Sequence, residues 1–372
     1  MTIDVPFLDL DAAYVELRPQ IDAAVSGVLA SGRYLLGAQT EAFEAEFAAA
    51  CSAAHCVTVG SGCDALELSL TALGVGPGDE VVVPAHTFIA TWLAVSRCGA
   101  RPVPVEPSPD GYLVDVEAVE AAITPRTAAI LVVHLYGEVA DLAAIRRVAD
   151  RHGLALVEDA AQSTGARGRD GAVVGSGSTA AAFSFYPGKN LGALGDGGAV
   201  VTADDDLARR VRLLRNYGSV AKYVHEVRGT NSRLDEIQAA VLRAKLPLLD
   251  AWNARRATIA ALYLDRLEEA SGVRLPPHGP GPVCLAPLRR PAGHDRETLQ
   301  RELTRHGVET LVHYPTPVHL SAAYADHGHR AGSLPHAERL AREVLSLPMG
   351  PHLPLPAAER VADLVAVLAA RP

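Results

Sequence analysis

The chain has 372 residues, of which 49% are hydrophobic and 21% charged, and its net charge is −9. This length predicts about two domains and a large buried core. The negative charge argues against nucleic-acid binding, because phosphate contacts need a basic surface. No apolar run approaches the ~20 residues that span a bilayer, so no membrane insertion is expected.

The cysteines indicate a reducing compartment. Five are present, an odd number, and none has CxxC or Cys/His ligand spacing. This pattern argues against a disulfide framework and against a metal site. The first eleven residues contain no apolar signal segment, so no export is expected and a cytoplasmic protein is predicted.

The first half of the chain alternates strands with helices. Apolar residues at helical spacing predict helices over 11–30 and 38–50, joined by a turn at 31–37. Short β-branched runs then alternate with helical segments, which predicts a largely parallel sheet covered on both faces. The predicted strands are 55–59, 80–83, 102–105, 128–134 and 154–158, and the helices between them are 64–73, 88–97, 116–123 and 142–151.

The pattern changes after residue 159. Two short strands are predicted at 180–185 and 199–202, followed by a helical stretch over 234–269 that is interrupted at Pro247. A Pro- and Gly-rich break at 275–282 precedes a smaller α+β unit. Its predicted elements are a strand at 283–288 and helices at 295–306, 334–345 and 357–370. We therefore predict a large α/β domain over residues 1–255 and a small α+β domain over 256–372.

Lys189 lies in the glycine-rich stretch 183–198 and is one of only three lysines, with Lys222 and Lys245. Small residues on both sides allow a sharp turn against which a flat ligand can lie. A lysine that forms an imine with a cofactor requires such a position. The alternative is an ordinary solvated loop lysine in a hairpin.

Three strand ends suggest a ligand site. The turn at 60–63 leads from a strand into a helix, whose free N–H groups can hold a phosphate, although a plain turn has the same pattern. Asp159 ends an apolar strand, where ligands bind in open α/β sheets, although it could instead cap a helix. Phe88 and His86 follow another strand; core packing is the more common role of such a phenylalanine, and the histidine is as often structural as functional.

Together these features match pyridoxal 5′-phosphate (PLP). A carboxylate keeps the pyridine nitrogen protonated, so that the ring acts as an electron sink, and a lysine holds the aldehyde. A phosphate-binding turn and an aromatic ring complete the set.

The segments 184–198, 158–163, 60–66 and 229–240 resemble the DegT/DnrJ/EryC1/StrS family of PLP-dependent sugar aminotransferases. The similarity extends from Phe7 to Pro348. It implies the α/β fold type I of the aspartate aminotransferase superfamily and a homodimer with shared active sites. It also implies L-glutamate as amino donor and pyridoxamine phosphate as the form left by the first half-reaction. Related dehydratases have histidine in place of Lys189, so the lysine favours transamination.

The resemblance also implies a role for each site residue. Lys189 would form the internal aldimine, Asp159 would pair with the pyridine nitrogen, and Gln162 would bond the ring oxygen. Position 63 is commonly threonine in the family, so a cysteine there keeps the backbone donor but weakens the side-chain contact. The remaining cofactor contacts would be Phe88 on the ring and Gly62, Cys63 and Ser184 at the phosphate, with Asn231 from the partner subunit.

The segments 86–105 and 311–320 are most similar to family members that aminate C3 of dTDP-3-keto-6-deoxyhexoses in deoxyamino-sugar biosynthesis. A 4-keto nucleotide-sugar or cyclitol ketone aminotransferase is an alternative, and so is a non-catalytic PLP-binding regulator. Each candidate tyrosine could equally serve interface packing. Pyrophosphate contacts could come from Arg212, Arg215, Arg228 and Arg233, although most of these arginines are expected to be solvated or paired in the dimer. The predicted substrate-site residues are Tyr186, His313 and Tyr314, with Tyr217 and Tyr223 from the partner.

Overall fold

The computed structural model describes residues 3–268, 270, 272–275, 284–290 and 295–370. No described helix is long and apolar enough to cross a membrane. The strands are β1 (His55–Val59), β2 (Glu80–Pro84), β3 (Arg101–Val105), β4 (Thr127–Val133), β5 (Ala155–Asp159), β6 (Ala180–Ser184), β7 (Gly198–Thr202), β8 (Ser219–Ala221), β9 (Val224–His225), β10 (Ala286–Arg289) and β11 (Val344–Leu347). The helices are α1 (Leu10–Glu16), α2 (Arg18–Ser31), α3 (Ala38–Ala50), α4 (Gly62–Ala72), α5 (Ile89–Arg97), α6 (Val116–Ala121), α7 (Leu142–His152), α8 (Asp205–Leu214), α9 (Glu236–Lys245), α10 (Leu249–Leu267), α11 (Arg296–Arg305), α12 (Pro335–Glu343) and α13 (Leu355–Ala369).

A mostly parallel sheet forms the centre of the fold. Within the described residues its strand order is β1-β7-β6-β5-β4-β2-β3, and only β7 runs antiparallel to its neighbours. The carboxyl ends of β2, β4, β5 and β6 therefore lie along one edge, where ligands bind in open α/β sheets. The prediction of a largely parallel sheet is confirmed.

Helices cover both faces of this sheet. Side chains of successive strand residues point to opposite faces, so Val81 and Val83 pack in one core cluster and Val82 packs in another. Trp92 of α5 fills the first cluster and Ile145 of α7 fills the second. Both faces of the sheet are thus buried, which explains why the parallel strands are uninterrupted apolar runs in the sequence.

A second core surrounds the antiparallel pair β10–β11. Helices α10, α11 and α13 pack there, and Val5 joins them from the amino terminus, where it pairs with Val308. The predicted boundary at 255/256 falls inside α10, which runs continuously from 249 to 267. The division into two domains stays a prediction.

The structure differs from the sequence-based elements at a few places. The helix predicted over 334–345 ends at Glu343, because Val344 and Leu345 pair with β10 as part of β11. Helix α8 and the β8–β9 hairpin were not predicted. The expected break at Pro247 is confirmed by a 3₁₀ turn over Leu246–Leu248, and residues 276–283 of the predicted break and strand lie outside the described residues.

Candidate active site

The turn that carries Lys189 follows β6 and depends on glycine. A Cβ at Gly192 would lie 2.3 Å from the Pro187 carbonyl oxygen, so no other residue fits there without a backbone shift. The Lys189 N–H donates to the Tyr186 carbonyl at 2.9 Å. Lys245, which is buried, donates from Nζ to the Gly192 carbonyl at 2.7 Å. Lys189 itself is half-buried, so its amine is held by a rigid turn and remains accessible.

Asp159, the last residue of β5, is a buried carboxylate. Oδ2 accepts from the Thr91 hydroxyl at 2.9 Å and Oδ1 accepts from the Ala161 N–H at 3.2 Å. Burial raises the pKa of Asp159, while the Thr91 hydrogen bond and the charge of Lys189 oppose the rise. No cation among the described residues forms an ion pair with it, and a buried carboxylate in that state is suited to a cationic ligand.

Tyr314 contacts both Gln162 and Phe88. The Gln162 amide donates from Nε2 to the Tyr314 hydroxyl at 3.1 Å. The Tyr314 ring is 5.3 Å from the ring of Phe88, which is 52% exposed at the amino end of α5. An aromatic ring this exposed is not core filler, so the packing alternative for Phe88 is wrong.

The amino end of α4 forms the candidate phosphate cradle. Ser61 caps the helix by accepting from the Asp64 N–H at 3.1 Å. A Cβ at Gly62 would lie 2.6 Å from the Ser184 Cβ, so glycine keeps the two segments together. The first N–H groups of a helix have no partner within it, and those of α4 lie next to Ser184, which suits the binding of a phosphate.

The Cys63 side chain contacts helix α5. Sγ donates to the Ala90 carbonyl at 3.8 Å and lies 3.7 Å from the Arg97 guanidinium. Burial raises the pKa of Cys63 to about 11. The thiol is therefore neutral, and the residue can offer the cradle its backbone N–H.

The substrate candidates divide into two groups. Tyr186 and His313 lie on the Lys189 side: Tyr186 is 58% exposed next to the turn, and the charge of Lys189 adds to burial in lowering the pKa of His313 to about 4. Tyr217, Tyr223 and Asn231 lie on or beside the β8–β9 hairpin, and no hydrogen bond or ring contact of the described residues joins them to Lys189 or Asp159. That these three residues serve a partner subunit stays a prediction.

Three of the arginine candidates are already engaged, and one of them, Arg212, donates to the Cys56 carbonyl at 3.5 Å. Arg215 is buried, pairs with Glu44 and donates to the Thr58 carbonyl at 2.8 Å. It is therefore excluded as a pyrophosphate ligand. Arg233 donates to the Asn216 side chain at 3.1 Å and lies over the Tyr217 ring.

Sequence reasoning missed Thr91 and Tyr136. Thr91 bonds Asp159, and the Tyr136 N–H donates to Gln162 Oε1 at 2.6 Å. Tyr136 follows β4 at the same sheet edge as Asp159. Ligands bind at the carboxyl ends of strands in open α/β sheets, so this position could have been predicted from the sequence. Thr91 lies inside a helix, where no sequence signal distinguishes it. The described residues contain no cluster of acidic, histidine or cysteine side chains that could hold a metal ion.

Comparison with known proteins agrees with this geometry. A protein from Saccharopolyspora erythraea, the erythromycin biosynthesis sensory transduction protein EryC1, is 68% identical over 96% of this chain and 98% of its own. The dTDP-3-amino-3,4,6-trideoxy-alpha-D-glucose transaminase of Streptomyces venezuelae is 60% identical over 97% and 95%. The crystal structure of S. venezuelae DesV in complex with a ketimine intermediate is 59% identical and superposes with a TM-score of 0.96 over 99% of both chains. The predicted fold class is thereby confirmed.

The model of the DegT/DnrJ/EryC1/StrS aminotransferase family matches residues 15–366. These residues include the Lys189 turn, the Asp159 strand end and the Gly62 cradle. The chain belongs to the DegT/DnrJ/EryC1/StrS aminotransferase family.

Proposed function

We propose that this protein transfers an amino group from L-glutamate to C3 of a dTDP-linked 3-keto-6-deoxyhexose, with PLP as cofactor. The observation that carries the proposal is the convergence of Lys189, the buried Asp159 carboxylate and the Gln162 amide at one sheet edge. The transaminase relative at 60% identity supports the sugar class, and the ketimine held by the similar solved structure supports cofactor chemistry of this kind.

The residues at the site fit PLP. Asp159 is a buried carboxylate that lacks a cationic partner among the described residues, which suits a pyridinium nitrogen. The cradle at Gly62 has no room for a Cβ and leaves backbone donors free, which suits a phosphate. Phe88 offers an exposed ring on which a flat heterocycle can stack.

Each residue then has a defined task. Bound PLP supplies an electron sink that weakens the bond between the substrate α-carbon and its hydrogen. The Lys189 amine would hold the cofactor covalently and, once released, would carry the proton between the two carbons. Asp159 would hold the positive charge at the ring nitrogen, and Gln162 would donate to the ring oxygen. Gly62, Cys63 and Ser184 would bind the phosphate.

The substrate side of the site would consist of Tyr186, His313 and Tyr314. We further propose that the chain works as a cytoplasmic homodimer in which Asn231, Tyr217 and Tyr223 reach the partner's site. Their exposure supports this proposal, since Tyr223 is 84% and Tyr217 48% exposed. If sites are shared, mixing Lys189→Ala protein with Asn231→Ala protein restores part of the activity that neither variant has alone.

The first test is a visible absorbance scan of the PLP-loaded protein before and after addition of L-glutamate, with Lys189→Ala alongside. We expect a long-wavelength band that bleaches with glutamate in the parent and is absent from the variant. Lys222→Ala, a change at the lysine of the exposed hairpin, is the control and keeps the band. A parent protein without any band after PLP addition contradicts the proposal.

Substrate choice needs a second measurement. Release of 2-oxoglutarate is compared for a dTDP-3-keto-6-deoxyhexose, a 4-keto nucleotide sugar and a cyclitol ketone, and we expect turnover with the first. One observation favours a different class of function, a PLP-binding regulator without turnover, because the relative at 68% identity is named a sensory transduction protein. Steady-state release of 2-oxoglutarate rules out the regulator, and a band without turnover supports it.

A further inference from the structure

Tyr136 has an unusual backbone conformation. It lies directly after β4 in a 3₁₀ turn, with φ 63° and ψ 4°, and only 3% of its surface is exposed. A left-handed conformation is unfavourable for a bulky residue and persists only where the surroundings hold it. Its N–H donates to Gln162 Oε1 at 2.6 Å, and its carbonyl accepts from the Cys284 N–H at 2.9 Å.

The Tyr136 side chain is held as firmly. Its hydroxyl donates to the His313 carbonyl oxygen, which can only accept. His86 Nε2 lies 2.9 Å from the same hydroxyl. The single hydroxyl proton is already used, so His86 must be the donor and carries its proton on Nε2. Burial lowers the pKa of His86 to about 3, so this histidine stays neutral.

These contacts fix the orientation of the Gln162 amide. A backbone N–H can only donate, so the atom that faces Tyr136 is the amide oxygen, and the NH₂ group faces the other way. That NH₂ donates to the Tyr314 hydroxyl at 3.1 Å. Because Tyr314 follows His313 in the chain, the hydrogen bonds form a closed ring through Tyr136, Gln162, Tyr314 and His313.

We propose that Tyr136 is a positioning residue that couples Gln162, on the cofactor side of the site, to the His313–Tyr314 segment on its substrate side. The proposal rests on the proposed function only for the identity of the ligands on the two sides. The backbone N–H sets the donor face of Gln162, and the hydroxyl holds the carbonyl between the two substrate-side residues. Loss of the hydroxyl therefore loosens the segment and leaves the Gln162 contact in place.

The test compares Tyr136→Phe with Tyr112→Phe. Tyr112 is the matched control, because its ring packs 5.1 Å from that of Tyr136 and its buried hydroxyl has no hydrogen-bond partner among the described residues. Hydrogen–deuterium exchange of a peptide covering residues 311–316 is measured on the whole protein. We expect Tyr136→Phe to exchange about tenfold faster, because the His313 carbonyl in this peptide loses its hydrogen bond from the hydroxyl, and Tyr112→Phe to match wild type.

Activity gives the second readout. In Tyr136→Phe the kcat/KM for the keto sugar falls about tenfold, whereas the wavelength of the cofactor band stays unchanged because Gln162 keeps its partner. Tyr314→Phe removes another hydrogen bond of the same closed set, the one to Gln162. The loss of kcat/KM in the double variant should therefore be smaller than the sum of the two single losses, expressed as free energies. If Tyr136→Phe does not fold, faster exchange of the same peptide in Tyr314→Phe supports the proposal that these hydrogen bonds hold the His313–Tyr314 segment.

Unchanged exchange of the peptide in Tyr136→Phe, or in Tyr314→Phe where the first variant does not fold, overturns the proposal. So does equal acceleration in Tyr136→Phe and the Tyr112→Phe control. Exchange needs no substrate, so a protein that turns over no dTDP sugar refutes the proposed function alone and leaves this comparison valid.

Discussion

Replacing Asp159 by asparagine separates the electrostatic role of this residue from its structural one. In the loaded enzyme its carboxylate would form a buried ion pair with the ring nitrogen, and removing one partner of a buried pair costs about 3–5 kcal/mol. Since each 1.36 kcal/mol is a factor of ten, we expect kcat/KM to fall about 10²- to 10⁴-fold. The asparagine keeps the size of the side chain and an oxygen for one of the two donors, Thr91 and Ala161.

In the cofactor-free protein, Asp159→Asn should increase the free energy of unfolding, although it lowers the activity of the loaded enzyme. Burial raises the pKa of Asp159 in the folded state, so the folded protein holds this proton more tightly than the unfolded chain does. The stability that the carboxyl contributes is therefore complete below its unfolded pKa of about 3.9 and is lost as pH rises through the folded pKa. An asparagine side chain does not titrate, so the Asp159→Asn variant gains stability relative to wild type over that range.

The assay is urea unfolding of both cofactor-free proteins between pH 4 and 7.5, beside steady-state kinetics of the loaded enzymes. If the free energies of unfolding of wild type and Asp159→Asn change with pH by the same amount, the raised pKa of the Asp159 carboxyl is refuted. A kcat/KM within tenfold of wild type would equally refute the ion-pair role.

Three further changes test the supports of the site. Glu236 accepts three backbone N–H groups at 2.9 Å at the start of α3. These bonds and that of the Thr40 hydroxyl hold its pKa below the usual range, although burial opposes them. We expect Glu236→Gln to cost about 2–3 kcal/mol at pH 7, an effect that fades as the carboxylate protonates at low pH. The control is Glu46→Gln, which breaks the surface ion pair between Glu46, whose side chain is 41% exposed, and Arg243. This control should cost less than about 1 kcal/mol. Burial lowers the pKa of Lys245 to about 8, so the unfolded chain binds more protons above that pH. The stability of wild type relative to Lys245→Met should therefore rise by about 3 kcal/mol between pH 8 and 10.5. Gly62→Ala overpacks the cradle and should weaken PLP binding by about 1–3 kcal/mol, measured by titration of the visible band.

Each of these predictions has a contradicting result. Equal losses in the Glu236 and Glu46 variants would mean that the buried carboxylate does not cap α3. A difference between wild type and Lys245→Met that does not change with pH would mean that the amine is solvated. Unchanged PLP affinity in Gly62→Ala would place the phosphate elsewhere.

The sequence alone determined the parallel sheet, because strands buried on both faces read as apolar runs separated by amphipathic helices. It also indicated Lys189, Asp159 and Gly62 as candidate site residues, since a glycine-flanked lysine, a strand-end acid and a strand-to-helix turn are local patterns. Only the tertiary structure decided that β11 replaces the end of a predicted helix. The reason is that Val344 and Leu345 gain more from pairing with β10 and from burial than from one more helical turn, Val344 in the core of the large sheet and Leu345 in the second core. It alone brought Tyr136, Gln162 and His313 into one hydrogen-bonded ring, because a left-handed backbone and contacts across 177 residues have no signal in the local sequence.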